Sequence, residues 1–217
     1  MFFPYNDDNP RILTPLITYL LIIINFFIFF MQIFGTNNLI NYFGIIPVMS
    51  SIDLPYYCLT LITSTFLHGG FTHLIGNMIY LWIFGDNIEG YIGHFNFLIF
   101  YIVCGFISGI IQTLYNPISS IPIIGASGAV AGILGAYIYL YPKAKIHSII
   151  FIFFYFTTIK IPAYIVLGFW FIIQLSNGFA SLGINISGGI AWFSHIGGFL
   201  IGLIFIYIFK KWKFVTK

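Results

Sequence analysis

Gly125-Ala126-Ser127-Gly128-Ala129-Val130-Ala131-Gly132-Ile133-Leu134-Gly135-Ala136 carries no charge, and its glycines and alanines recur at helical spacing. Small side chains at that spacing let helix backbones approach closely inside a membrane. The segment just before it, Ser119-Ser120-Ile121-Pro122-Ile123-Ile124, is apolar but broken by proline. Non-helical backbone at membrane depth is tolerated only where it is buried in protein or lines a wet cavity. A loop is therefore expected to dip inward, with a helix starting at or near Ser127, below the surface. The helix N-terminus there favours developing negative charge.

The rest of the chain has the same character. Its 217 residues are 60% hydrophobic and 6% charged, with a mean hydropathy of +1.02, whereas a soluble domain carries about 25% charged residues. An all-α integral membrane protein is expected, since lipid-embedded helices satisfy their own backbone. With about 20 apolar residues per span, the candidate spans are 12–34, 66–85, 95–115, 127–142, 161–177 and 189–210. The first is too long for a signal-peptide core and reads as a retained span. The whole of 1–217 forms one domain with short tails, 1–11 and 210–217. The 8 basic residues fall in those tails and between spans four and five, and the loops 35–65, 116–126 and 178–188 have none. The positive-inside rule then gives six spans with both termini in the cytoplasm. Residues 146–160 are too short for two crossings and are expected to form an interfacial or partly inserted connection. Cys58 and Cys104 offer neither a disulfide framework nor zinc spacing, and no basic-aromatic stripe suits nucleic acid.

His195 lies within the last span, in Ser194-His195-Ile196-Gly197-Gly198. An intramembrane histidine marks a functional site with a partner, and a serine needs an adjacent base to become a nucleophile. Gly198 and Gly202 share the His195 face of that helix, so a close crossing of spans four and six would bring Ser127 and His195 together. If span six starts near Gly189, His195 lies about 9 Å deep. A third cluster, His68-Gly69-Gly70-Phe71-Thr72-His73-Leu74-Ile75-Gly76-Asn77, opens span two. His73 and Asn77 point the same way; they could donate to an oxyanion or simply bond neighbouring helices. No carboxylate accompanies the histidines in a zinc-protease pattern, so no metal is expected. Of the carboxylates, only Asp53 falls on the outer side. This favours a Ser-His dyad over a triad, and Asp86 and Glu89 are expected to satisfy backbone or helix-end groups. A transporter or channel is disfavoured, because the polar residues cluster on one side and form no path across.

Taken together, these motifs resemble the rhomboid family of intramembrane serine proteases. The resemblance rests on His68, His73 and Asn77 in span two, Gly125 to Gly128 opening span four, and His195, Gly198 and Gly202 in span six. Gly85-Asp86-Asn87-Ile88-Glu89 also looks like the family's second-to-third span connection. The resemblance implies a six-helix rhomboid-like bundle in which Ser127 is the nucleophile and His195 the base. His73, Asn77 and the Ser127 amide would hold the oxyanion, and His68 would be structural. Substrates would be transmembrane proteins cut near the outer face, with the bilayer as partner and no cofactor. The expected location is a bacterial cytoplasmic membrane, and the oligomeric state is left open. A non-catalytic rhomboid-like chaperone or binding protein is the alternative; such relatives are expected to lack the serine or the histidine, and this chain keeps both. Three departures stand out. The outer loop lacks the family's Trp-Arg pair around Leu59-Thr60. Ala131 replaces a tyrosine that in some members stacks on the catalytic histidine, which leaves the orientation of the His195 ring unexplained. Ser194 stands where alanine is common.

Overall fold

The computed structural model describes residues 2–35, 38–152, 155–182 and 189–215. Part of the expected outer loop 178–188, namely 183–188, lies outside the described residues. The chain begins with a strand, β1 (Phe2–Asp7), and a long helix, α1 (Leu16–Phe34). Three short helices follow, α2 (Leu39–Phe43), α3 (Met49–Ile52) and α4 (Leu54–Thr63), with a 3-10 turn at Ser64–Phe66. The remaining elements are α5 (Phe71–Ile92), α6 (His94–Tyr115), α7 (Ser127–Leu140), β2 (Lys145–Ile152), β3 (Tyr155–Pro162), α8 (Ala163–Ala180) and α9 (Trp192–Val215). Each of the six apolar stretches overlaps a helix. Among the described residues, four helices are long and apolar enough to cross a membrane: α1, α6, α8 and α9 over Trp192–Trp212. The protein is thus a mostly helical membrane protein.

Local chemistry sets the element ends. Asp53 caps α4 by accepting from the Tyr56 N–H at 3.0 Å, and Pro55 fits the first turn, where no N–H is needed. Between α5 and α6 the chain turns on Gly93 alone, at φ +84°, a conformation that glycine adopts without steric cost.

The apolar core centres on α7, which packs against α5, α6 and α9. Ala129, Ile133, Ala136 and Tyr137 of α7 are fully buried. The Gly and Ala residues along α7 let neighbouring helices approach it closely. The segment leading into it is irregular but bonded to protein. Ile45 and Ile123 exchange backbone hydrogen bonds at 3.0 and 2.8 Å, Val48 N–H donates to the Ser119 carbonyl at 3.1 Å, and Gly125 N–H donates to the Ser64 carbonyl at 3.0 Å. The irregular segment expected before Ser127 thus takes part of its backbone hydrogen bonding from the 38–66 region.

The all-α expectation needs correction. The strands form a three-stranded antiparallel sheet in the order β1-β2-β3. Of residues 146–160, expected as an interfacial connection, 146–152 belong to β2 and 155–160 to β3, and residues 2–7 of the expected tail form the third strand. The reason is local: Lys145–Ile152 and Tyr155–Pro162 are rich in β-branched Ile and Thr. A hairpin lets both halves bond their backbones without crossing lipid, and β1 covers the other edge of β2. Pro4 lies on this outer strand beside a register shift, where a missing N–H costs nothing. At the other terminus, α9 runs to Val215, so residues 210–215 of the expected tail continue its helix.

The sheet end of the molecule is held by buried polar groups. Asp7 accepts from Tyr137 at 2.5 Å, Asn87 at 3.0 Å and Asn9 at 3.1 Å. Glu89, fully buried on α5, caps the start of α1: its carboxylate accepts from Ile17 N–H and Thr18 N–H, both at 2.8 Å, and from the Thr18 hydroxyl at 2.7 Å. Glu89 thus satisfies helix-end groups, as expected from the sequence. Asp86 instead pairs with Arg11 at 3.5 Å and accepts from the Asn87 side chain at 2.8 Å.

Candidate active site

At the opposite end of α7, a cavity of about 1180 Å³ is lined by Ser127, His195, His73 and Asn77. Their convergence follows from the crossing of α7 and α9. A Cβ added to Gly198 would fall on the Gly128 carbonyl, one on Gly202 on the Gly132 carbonyl, and one on Gly135 on the Phe199 carbonyl. The two helices therefore touch backbone to backbone along their glycine faces. Ser127 at the start of α7 and His195 near the start of α9 share the mouth of that contact.

Ser127 is the first residue of α7, where unpaired backbone N–H groups and the helix dipole create positive potential. Gly125, two residues earlier, has φ +125°, and a Cβ there would lie 2.8 Å from His73 Nε2. Only glycine permits both that turn and the close approach of the imidazole. His73 Nδ1 accepts from the Gly69 N–H at 3.4 Å. The ring proton therefore sits on Nε2, the nitrogen beside Gly125. Asn77 is buried, and its side-chain nitrogen has no hydrogen-bond partner among the described residues. The His73 ring thus lies close to Ser127 across Gly125, and Asn77, with its unpaired amide nitrogen, belongs to the lining of the same cavity.

His68 is buried with its ring edge-on to His73, centroids 5.2 Å apart. Gln32 of α1 clamps its backbone, accepting from the His68 N–H at 3.0 Å and donating to the His68 carbonyl at 2.9 Å. Ser194 is buried, its hydroxyl facing Gly128. Its backbone N–H donates to Gln112 of α6 at 3.0 Å, which satisfies one of the open donors of α9.

The His195 ring is held from α8. Its Nδ1 lies 2.8 Å from Gln174 Oε1, and the Gln174 amide nitrogen donates to the Trp170 carbonyl at 3.1 Å. Trp170 and Trp192 flank the imidazole, with centroids at 6.0 and 6.2 Å. Among the described residues, no hydrogen bond joins the Ser127 hydroxyl to the His195 ring. Sequence reasoning missed Gln174, Gln112 and Gln32. The available signal was an amide inside an apolar span, which is costly unless partnered, but a lone glutamine does not say which helix it faces. Among the described residues, no three His, Cys, Asp or Glu side chains come together as metal ligands.

The family described as "Rhomboid domain" matches residues 56–212. The chain belongs to the rhomboid family. It is 29% identical over 158 residues to "Rhomboid protein 1, mitochondrial" of Saccharomyces cerevisiae, covering 70% of this chain and 42% of that protein. It is 34% identical over 142 residues to "Rhomboid protease GluP" of Bacillus subtilis, covering 65% of this chain and 24% of that one. Against "RHOMBOID-like protein 6, mitochondrial" of Arabidopsis thaliana the identity is 32% over 142 residues, covering 65% of this chain and 40% of that one. The chain thus matches less than half the length of these curated relatives. Rhomboid membership and protease-named relatives place it in a protease family of multi-pass membrane proteins. These relatives are named from mitochondria as well as from Bacillus, so family membership suits more membranes than the bacterial cytoplasmic one expected from sequence.

Proposed function

We propose that this chain is an intramembrane serine endopeptidase with a Ser127–His195 dyad, cutting transmembrane segments of other membrane proteins near the outer face. The observation that carries this reading is the cavity shared by Ser127, His195, His73 and Asn77, together with the unpaired amide nitrogen of Asn77. In the proposed topology, α1, α5, α6, α7, α8 and α9 are six spans with both termini on the cytoplasmic side. The sheet end then faces the cytoplasm and the cavity opens toward the outer half of the bilayer. All of 1–217 acts as one domain.

In the first step the Ser127 oxygen attacks the scissile carbonyl carbon, and its proton passes to His195 Nε2. The carbonyl oxygen becomes an oxyanion next to the start of α7. There it accepts from the Ser127 N–H, His73 Nε2–H and the Asn77 amide, donors fixed before charge appears. Collapse of the intermediate expels the amine, which takes the proton back from Nε2 and leaves an acyl-serine. Water, deprotonated by the same nitrogen, then attacks the ester, and the carboxylate product departs with Ser127 restored. The Ser127–His195 hydrogen bond forms on substrate binding, since catalytic hydrogen bonds tighten in the Michaelis complex. His68 is the structural member of the group, holding the His73 ring from its edge.

Cleavage by detergent-purified protein of a transmembrane substrate tests the reading. Ser127→Ala and His195→Ala are each expected to abolish cleavage while the protein stays folded. A fluorophosphonate should label Ser127 in the parent protein and fail to label it once His195 is replaced. Cleavage by both variants at the parent rate sinks the proposal. Binding of the substrate without cleavage by the parent protein points instead to a non-catalytic rhomboid-like binding protein.

A further inference from the structure

We infer that Gln174 of α8 is the positioning residue of His195, holding the ring proton on Nδ1 so that Nε2 is free to take the proton of Ser127. The inference rests on the dyad proposed above and adds a third side chain to it. Its geometry contains its own assignment of hydrogens. The Trp170 carbonyl, 3.1 Å from the Gln174 amide, can only accept, so the amide nitrogen must face it. The oxygen end then points at His195 Nδ1, 2.8 Å away, and it too can only accept. Nδ1 must therefore be the protonated nitrogen. In a neutral imidazole, that leaves the lone pair on Nε2.

Two further observations assign this work to Gln174. The side chain is 4% exposed on an apolar helix, so its amide is costly there unless both ends are bonded, and Trp170 and His195 are the partners found. Moreover, α7 does not hold the ring, because the residue one turn after Ser127 is Ala131. No carboxylate lines the cavity among the described residues, and its titratable side chains are His73, Tyr80, Tyr115 and His195 itself. The amide therefore takes the place an aspartate holds in a triad, but without a charge. Through the reaction the Nδ1 proton stays in place, while Nε2 gains the serine proton and passes it to the departing amine. The Gln174 oxygen faces the imidazolium throughout that exchange.

The test uses the full chain in detergent. Q174M keeps the length of the side chain and removes the acceptor. We expect kcat to fall about 100-fold, the scale of a misplaced catalytic group, with KM unchanged. Fluorophosphonate labelling of Ser127 should slow in parallel, with the melting temperature held. Q174E restores an acceptor at the same reach and should recover most of both rates. Should Q174M fail to fold, Q174N, whose amide is too short to reach the ring, carries the same expectation. Parent-like cleavage and labelling by Q174M overturns the inference. So does a folded Q174E no faster than Q174M, because a purely packing role would not be rescued by an acceptor. Ser127→Ala, run alongside, separates the two ideas. If it still cleaves, the dyad itself falls; if it is inactive while Q174M is unaffected, the dyad stands and only the role of Gln174 is lost.

Discussion

Asn77 holds a buried amide nitrogen with no acceptor among the described residues. A donor kept dry and unpaired is a stored cost, roughly 1–3 kcal/mol, which an oxyanion would recover only as it forms. Asn77→Ala is therefore expected to lower kcat by about 100-fold or more, the usual loss for one oxyanion donor, while KM stays near the parent value. Steady-state kinetics with one transmembrane substrate decide it, and an equal loss through KM alone would assign Asn77 to substrate binding. Ser127, His195, His73 and Asn77 stood out in the sequence, because reactive or polar side chains in apolar runs need an explanation, and all four line one cavity. Gln174 did not stand out. Its partner lies on another helix, and residue type alone does not predict which way an amide faces.

At the scale of elements, α7 and α9 behave as one unit joined along their glycine faces. Gly202→Val would drive its Cβ into the Gly132 carbonyl, a backbone atom that cannot swing aside. The expected cost is about 1–3 kcal/mol, typical of overpacking, and activity should fall with it as Ser127 and His195 move apart. Gly168→Ala on α8 is the control, because a Cβ there meets nothing within 4 Å. It should stay within about 0.5 kcal/mol of the parent. Thermal melts of the two variants in the same detergent compare them directly, and equal melting temperatures would refute the close crossing. The glycine spacing announced this contact in advance. The hairpin did not announce itself, since short apolar runs fit strand and buried helix alike and length alone argued only against two crossings.

Across the whole molecule, the two ends of α7 are organised differently. The cavity end is lined by neutral donors and acceptors, while the sheet end gathers Asp7, Asp86, Glu89 and Arg11 around partly buried hydrogen bonds. Burial raises the pKa of Asp7 above its ordinary 3.8, with the bonds from Tyr137 and Asn9 offsetting part of the effect. Well below pH 3.8 the folded and unfolded chains both hold this proton, and the group does not change the balance. As pH climbs past that value, the unfolded chain releases the proton first, so stability declines until the folded carboxyl has also ionised. The melting temperature of the parent minus that of Asp7→Asn should thus fall as pH rises from about 4 to 7. A flat or rising difference contradicts the assignment. From sequence the N-terminal residues read as a tail, because nothing local in Phe2–Asp7 indicates that their pairing partner is β2, across most of the chain.

The bond from Gln174 has a mechanical side. The serine rides on α7, clasped to α9, whereas the tether of the imidazole belongs to α8, a neighbour with one flank bare: Phe169, Ile172 and Phe179 are 64%, 58% and 63% exposed. Tilting α8 away from the bundle would strip the ring of its anchor before it disturbed the nucleophile. Access from that flank and readiness to react would then exclude each other, and proton transfer would wait until the helix had swung home.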